Sequence, residues 1–205
     1  MTSFEQEVKD HFQANKIQYI DNSAEFKLLD FTITNLISEP SNGNDVPKKL
    51  YLEVKEKRQK YNTQNWNMID AGDETFAFIV DELSCRKILG YAPFSGLLVR
   101  NNLAGNYCWF SVLDLFLMPK KRANRQIQKN SQTFLKGKII LDFRNAKQFS
   151  SLSSTFKHIR LSMTDRARLY TELNDCYGTY VGEKIPIQGV VRNSGHWDVD
   201  INETR

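Results

Sequence analysis

The stretch LYLEVKEK, residues 50–57, alternates apolar and charged side chains in the manner of a β-strand. Successive side chains of a strand point to opposite faces, so its Leu and Val residues share one face while Glu53, Lys55 and Lys57 share the other. Thr or Ser would fill a solvent-exposed face without charge, so the adjacent carboxylate and ammonium suggest a chemical role. The stretch therefore predicts a strand with a core face and a charged face.

The composition indicates a folded, soluble protein. The chain has 205 residues, of which 25% are charged and 12% aromatic, and its formal net charge is +4. A chain of this length can bury a full core without disulfides or structural metals. The three cysteines, Cys85, Cys108 and Cys176, lie far apart without a CxxC pair, and we predict that all three are buried thiols.

No apolar run approaches the ~18 residues that a membrane-spanning helix needs. The first ten residues, MTSFEQEVKD, lack the basic-then-apolar order of a secretory signal, so we expect a cytoplasmic protein without membrane association. The sequence also lacks a GxxxxGKS loop and a GxGxxG turn, which argues against ATP or dinucleotide use.

Apolar periodicity gives the expected elements. Phe4, Val8 and Phe12 recur at helical spacing behind a Thr or Ser cap, which predicts a first helix within residues 2–15. Alternating or apolar runs predict strands at 24–37, 50–57, 75–82 (a central strand), 95–102, 107–118 and 136–146, with a loop at 39–49 and a helix from Thr164 onward. This order predicts one α/β (α+β) domain over residues 1–205, with a central mixed β-sheet flanked by helices.

A second carboxylate interrupts the apolar strand that precedes LYLEVKEK. Asp30 lies in FKLLDFTI, residues 26–33, where a carboxylate is costly unless it has a partner such as a metal ion. Glu53 follows it by 23 residues. If the two strands pair as a hairpin, the two carboxylates come within the reach of one cation.

Two carboxylates and a lysine at strand ends suit the hydrolysis of a phosphodiester. Mg²⁺ prefers oxygen ligands and keeps several waters, so two carboxylates and one backbone carbonyl suffice to hold it. The metal activates a water and stabilises charge on the phosphate, and a nearby ammonium can position or deprotonate that water. Asp30, Glu53 and Lys55 have these roles available to them.

At these residues the sequence resembles the PD-(D/E)xK nucleases, a superfamily of restriction enzymes, Holliday junction resolvases and repair nucleases. The resemblance lies in a helix, then the Asp of LLDF, then a strand carrying LEVK. It covers roughly residues 3–80, with 119–205 as a basic and C-terminal elaboration, and it implies a restriction-endonuclease-like core. One departure is Leu29, which stands where the family has Pro.

The resemblance also implies roles for individual residues. Asp30 and Glu53 would hold the metal, the carbonyl of Val54 would be a third ligand, and Lys55 would act on the attacking water.

Many members add a Glu from the first helix as a further ligand. Glu5 and Glu7 flank the apolar stripe of that helix at similar angles, and Glu7 is the preferred candidate.

The segment from Pro119 to Lys147 is strongly basic. It contains nine Lys and Arg residues against one acid, Asp142, a local charge of +8 in a chain of +4. Such a concentration is typical of nucleic-acid binding, although an ordinary solvated loop is the alternative. A second basic group brackets the proposed site and consists of Lys48, Lys49, Lys57, Arg58 and Lys60. The candidate nucleic-acid contacts are Lys57, Arg58, Lys120, Lys121, Arg122 and Arg125, and the amides Asn124, Gln126, Gln128 and Asn130 suit phosphates or base edges.

We therefore predict a Mg²⁺-dependent DNA endonuclease, with Mn²⁺ as an alternative metal, acting in restriction, phage defence, mobile-element processing or repair. Two other functions stay open: a nucleic-acid-binding protein without catalysis, and a nuclease subunit that works only within a larger complex. Cutting both strands usually takes two sites, which favours a homodimer.

Overall fold

A computed structural model describes residues 3–41, 44–61, 75–129 and 132–164 of the chain. Cys176, Asn130 and the helix predicted beyond Thr164 lie outside these ranges.

The described residues form four α-helices and nine β-strands. In chain order they are α1 (Phe4–Ala14), β1 (Tyr19–Asp21), β2 (Phe31–Ser41), β3 (Asn44–Lys57), β4 (Ala77–Asp81), α2 (Glu82–Gly90), β5 (Ser95–Asn101), β6 (Asn106–Ser111), α3 (Val112–Leu117), β7 (Lys121–Lys129), β8 (Gln132–Asp142), a 3-10 helix (Phe143–Asn145), β9 (Lys147–Phe149) and α4 (Leu152–Thr164). None of these helices has the length and apolar character needed to cross a membrane.

The central sheet has six strands in the order β1-β2-β3-β5-β6-β9. Strands β3 and β5 are parallel and the other neighbours are antiparallel, so the sheet is mixed. A second, antiparallel sheet has the order β4-β8-β7. The predicted fold class, a mixed sheet flanked by helices, is confirmed.

Each face of the central sheet has its own hydrophobic core. Phe12 of α1 and Phe156 of α4 pack on one face, where Val54 of β3 points. Ile88 of α2 and Leu115 of α3 pack on the other face with the inner side of the small sheet. Because a strand alternates its side chains, the charged face of LYLEVKEK is turned toward this second layer, where Glu53 and Lys57 are buried.

The first helix follows the sequence closely. Ser3 caps α1 by accepting a hydrogen bond from the backbone N–H of Gln6 at 3.2 Å, as its position predicts.

The strand predicted at 24–37 begins only at Phe31, so Asp30 lies just before it and not within it, and the strand predicted at 136–146 ends at Asp142, where a 3-10 helix begins. The expected loop at 39–49 is shorter, because pairing continues to Ser41 and Asn44. Pro47 is accommodated since β5 pairs with β3 only from Tyr51 onward, which leaves this part of β3 at an edge.

Two other expectations are corrected. The apolar run at 75–82 forms β4, which lies at the edge of the small sheet and not in the centre of the main one. The run at 107–118 is a strand only to Ser111, where a capping box with Asp114 starts α3. A short apolar run does not show whether a segment is a strand or a helix, because a buried strand and a buried helix are equally apolar. It also does not show which sheet a strand joins.

Candidate active site

The β2–β3 hairpin brings the two predicted carboxylates together. Phe31 pairs with Leu52 in antiparallel register, so Asp30, one residue before β2, lies opposite Glu53. The backbone N–H of Val54 donates to Asp30 Oδ2 at 2.8 Å, which fixes this carboxylate against the end of the strand.

Lys55 lies at the centre of the cluster. Its Nζ is 2.8 Å from Glu53 Oε1 and 3.3 Å from Asp30 Oδ2. It also donates to the carbonyl oxygen of Val54 at 3.0 Å. Three oxygens, one each from the predicted metal ligands Asp30, Glu53 and Val54, therefore converge on a single positive charge.

Glu53 is the most deeply buried charged side chain of the site, with 2% of its surface exposed. Its Oε1 accepts a hydrogen bond from the hydroxyl of Ser84 at 2.6 Å. Its Oε2 is buried and has no hydrogen-bond partner among the described residues, although Lys87 Nζ lies 3.8 Å away. Buried carboxylate oxygens normally have a donor or a cation beside them, so Oε2 is suited to a further ligand.

Ser84 and Lys87 are site residues that the sequence reasoning missed. Both lie on α2, three residues apart and therefore on one helix face, which covers the charged side of β3. Lys87 also donates to the carbonyl of Leu28 at 2.6 Å, and so ties the segment before Asp30 to the helix. The available signal was a Ser and a Lys at helical spacing in ELSCRKILG.

Burial and charge oppose each other at this cluster. Burial raises the pKa of the Asp30 carboxyl; the Lys55 ammonium opposes this increase and the Glu53 carboxylate adds to it. Burial lowers the pKa of Lys55, but the carboxylates of Glu53 and Asp30 outweigh it and raise that pKa overall. Lys55 is therefore held as a cation between two acids.

Glu7, the preferred first-helix ligand, is not brought to this cluster. Its two carboxylate oxygens contact the guanidinium of Arg100 and the hydroxyl of Tyr107. Glu5 instead lines a cavity of about 260 Å³ beside Val54 and Lys55. The reason is helix geometry. Glu5 and Glu7 are two residues apart on α1, so their side chains point more than half a turn apart around the helix axis and lie in different environments.

The prediction that Lys57 and Lys120 contact nucleic acid is corrected, because both side chains are buried. Lys57 is 1% exposed, and its ammonium donates to the carbonyls of Thr75 and Ala77, both at 2.7 Å. Lys120 is 6% exposed and donates to main-chain carbonyls at the end of α3. Ammonium groups enclosed in this way stabilise main-chain oxygens and do not reach a phosphate.

The other four predicted contacts are more accessible. Arg58 is exposed and pairs with Glu56 at 2.6 Å. Lys121 and Arg122 are half-buried on β7, where Arg122 pairs with Glu82 at 2.8 Å. Arg125 is exposed further along the same strand. The basic segment is thus a β-hairpin and not a loop.

In the part of the chain that the structure describes, no three or more His, Cys, Asp or Glu side chains gather around one point. The site offers two carboxylates and a main-chain carbonyl. This oxygen-only set suits Mg²⁺, which commonly takes one or two protein carboxylates and keeps its remaining waters.

Comparisons with known proteins give no match in sequence. No protein-family model matches the chain, and no curated protein is similar to it. In three dimensions it is similar to D212, a nuclease from a fusselovirus, with a TM-score of 0.39 and 9% identity, over 77% of this chain and 88% of that one. At so low a TM-score and identity, the functional conclusion rests on the side chains of the site.

Proposed function

We propose that the protein is a metal-dependent nuclease that hydrolyses phosphodiester bonds in DNA, with Mg²⁺ as its metal and Mn²⁺ as an alternative. One observation carries this proposal: oxygens of Asp30, Glu53 and Val54 converge within 3.3 Å of a single cationic atom, Lys55 Nζ. The cluster thus already binds positive charge with the ligands that Mg²⁺ prefers.

The residues present fit a divalent cation. Glu53 Oε2 is buried without a hydrogen-bond donor in the described part of the chain, which leaves one carboxylate oxygen available as a ligand. The donors are hard oxygens, which favour Mg²⁺ or Mn²⁺ over softer metals. Glu5, which lines the adjoining cavity with Lys55, replaces Glu7 as the candidate for a first-helix contact.

Each side chain has a role in this proposal. Asp30 and Glu53 hold the metal, which when bound supplies positive charge to the phosphate and acidifies a water. Lys55 lies close enough to both acids to orient the attacking water or to hold a phosphate oxygen. Lys87 is a positioning residue, because it contacts Glu53 and the segment that leads to Asp30.

DNA as substrate is supported by the basic hairpin of β7 and β8, whose residues 121–138 include six Lys and Arg and no Asp or Glu. Restriction, phage defence, mobile-element processing and repair all need such an enzyme. A homodimer, or a larger complex, would supply the second site for a double-strand cut.

Nucleic-acid binding without catalysis is the second candidate. The observation that favours it is the pairing of Lys55 with both acids, which balances part of the charge of the cluster without a metal. In that case the cluster would be a structural ion-pair network.

Cleavage assays separate the two candidates. Purified protein is incubated with supercoiled plasmid, linear duplex and single-stranded DNA in Mg²⁺, Mn²⁺ or EDTA. We expect cleavage in either metal, none in EDTA, and at least about a hundredfold loss in Lys55→Ala with DNA binding retained. The matched control is Lys157→Ala, an exposed lysine on α4, which should cut like wild type. Metal-independent cleavage, or full activity in Lys55→Ala, would refute the proposal.

A further inference from the structure

The β7–β8 hairpin reaches beyond the strand that supports it. Strand β4 pairs with β8 only from Lys138 to Asp142, whereas β7 and β8 pair outward to Lys129 and Gln132. The outer segments, 124–129 and 132–137, form what we call the ribbon, which no third strand joins within the described residues. At ~3.3 Å per residue, the ribbon is about 20 Å long.

The register gives the two faces of the ribbon different chemistry. Arg125 pairs with Lys136, and Phe134 lies on the same face. Gln126 pairs with Leu135 on the opposite face. That second face also carries Asn124, Gln128 and Thr133, and the side chains named on both faces are exposed. One face is therefore basic and the other is rich in amides.

The charge of the hairpin favours a polyanion. Residues 121–138 carry six positive charges and no negative one. Asp81 and Glu82, at the base of the hairpin, pair with Lys136, Lys138 and Arg122. Further out, exposed Arg125 makes no ion pair with the described residues. A two-stranded ribbon with both faces in solvent is marginally stable by itself, so a partner that covers it also stabilises it.

The base of the hairpin is fixed to the helix that covers the active site. The Glu82 carboxylate lies over Gly137 so closely that a Cβ there would be 1.9 Å from Glu82 Oε2. The same carboxylate accepts from Arg122 Nε at 2.8 Å. Because Glu82 begins α2, and Ser84 and Lys87 of α2 contact Glu53, the ribbon has a defined position relative to the site.

We propose that the ribbon enters the major groove of double-stranded DNA with its amide face toward the base edges, and that the long basic side chains of its other face reach around the edges of the ribbon to the phosphates on the rims of the groove. The major groove of B-form DNA, about 12 Å wide, admits a two-stranded β-ribbon, whereas that of an RNA duplex is too narrow. Amide side chains both donate and accept hydrogen bonds, which suits base edges, whereas guanidinium and ammonium groups suit phosphates. The identity of the polyanion rests on the proposed function.

A single strand fits this surface less well. Proteins that bind single strands stack successive bases on several aromatic side chains. Among its described side chains the ribbon exposes one aromatic residue, Phe134. The pairing of exposed amides with flanking positive charge therefore favours a duplex.

The test measures duplex binding in EDTA, so that neither metal binding nor cleavage enters the result. A fluorescein-labelled DNA duplex and the matching single strand are titrated with the full chain across a series of salt concentrations. One variant replaces residues 126–135 with an Asn-Gly turn, which closes the hairpin at the Arg125–Lys136 pair and keeps the contacts of its base. Two point variants, Arg125→Ala and Gln126→Ala, need no change of backbone.

We expect the shortened variant to bind the duplex at least about tenfold more weakly. Arg125→Ala should reduce the slope of log affinity against log salt by about one, and Gln126→Ala should weaken binding without changing that slope. Lys157→Ala is the control, because it removes one exposed charge from α4, which packs on the other face of the central sheet. It should not reproduce the loss seen in the shortened variant.

Wild-type affinity in the shortened variant, or in both point variants if the shortened one does not fold, overturns this inference. Tighter ribbon-dependent binding to the single strand overturns it as well. A third contrary result is a shortened variant that binds the duplex like wild type but no longer forms dimers in analytical sedimentation, since the ribbon would then be an interface between copies of the chain. Ribbon-dependent binding by a protein that cuts nothing in Mg²⁺ would instead refute the proposed nuclease function alone.

Discussion

Glu53 sets the chemistry of the site because the fold buries a carboxylate there almost completely. One of its oxygens is held by Ser84 and Lys55. The other has no hydrogen bond within the described residues, and leaving such an atom unsatisfied costs about 1–3 kcal/mol. That cost is consistent with the proposal that this second oxygen is a metal ligand.

A substitution at Lys87 distinguishes a role in positioning the site from a role in stability alone. Lys87→Met removes a positive charge 3.8 Å from Glu53 Oε2, so Mn²⁺ should bind roughly fivefold more tightly in calorimetry. Cleavage should nevertheless fall about tenfold, because the Leu28 carbonyl loses its donor and the segment before Asp30 is less well positioned. The reaction is followed as kcat and KM on the preferred DNA substrate.

Lys157→Met serves as the control for Lys87→Met, since it is exposed on α4. It should change neither Mn²⁺ affinity nor cleavage. Weaker Mn²⁺ binding together with a lower melting temperature in Lys87→Met would show that the lysine acts only on stability, contrary to the positioning role.

At the residue scale, alternation in the sequence predicted which side chains share a face but not what covers that face. It placed Glu53 and Lys55 together, as the structure does. It placed Lys57 there too and suggested contact with nucleic acid, yet Lys57 is enclosed by main-chain carbonyls. The difference depends on neighbouring elements that are distant in sequence, which a local pattern does not contain.

At the scale of elements, α2 connects the basic hairpin to the candidate active site. Its first residue, Glu82, contacts Arg122 and lies over Gly137. Its inner face presents Ser84 and Lys87 to Glu53. One helix of nine residues therefore fixes both the hairpin and the buried carboxylate.

Gly137 tests how tightly this helix holds the hairpin. In Gly137→Ala the new Cβ would push the end of the Glu82 side chain away from Arg122, so we expect a loss of about 1 kcal/mol in the free energy of unfolding, measured with denaturant. The matched control is Gly90→Ala, because a Cβ at Gly90 has no atom within 4 Å. It should be neutral or stabilise by up to about 1 kcal/mol. Equal effects of the two substitutions would contradict the close contact.

Elements with strong local signals were predictable from the sequence. The cap and apolar spacing of α1 and the alternation of β3 both appear as expected. The start of α3 was missed although Ser111 and Asp114 form a capping box, because the apolar residues around them also suit a strand. The edge position of β4 could not be predicted, since strand order depends on contacts with β8, more than fifty residues away.

At the scale of the whole molecule, the central sheet separates two cores, and the site lies on the side of the second. Cys85 of α2 and Cys108 of β6 are both in this second core. Burial raises the pKa of the Cys85 thiol, and burial raises that of Cys108 to about 12. At pH 8 both side chains are therefore thiols and not reactive thiolates.

Thiol titration checks this second core. In a Cys176→Ser variant, which leaves these two cysteines, we expect no reaction with an aromatic disulfide reagent at pH 8 in the folded protein, and two reactive groups after denaturation. Protection should be lost as pH rises toward 12, since a group with a raised pKa ionises only there. Rapid reaction of either cysteine in the folded protein at pH 8 would contradict the packing described.

The proposed metal site is tested most directly by titrating Mn²⁺ into the protein without nucleic acid and measuring the heat of binding. Wild type should bind Mn²⁺, and Glu53→Gln should bind at least about tenfold more weakly, because a buried carboxylate ligand becomes a neutral amide. Glu7→Gln is the matched substitution, since Glu7 contacts Arg100 and Tyr107 and not the cluster, and it should retain wild-type affinity. Equal Mn²⁺ affinity in wild type and Glu53→Gln would contradict a metal site at Asp30, Glu53 and Val54.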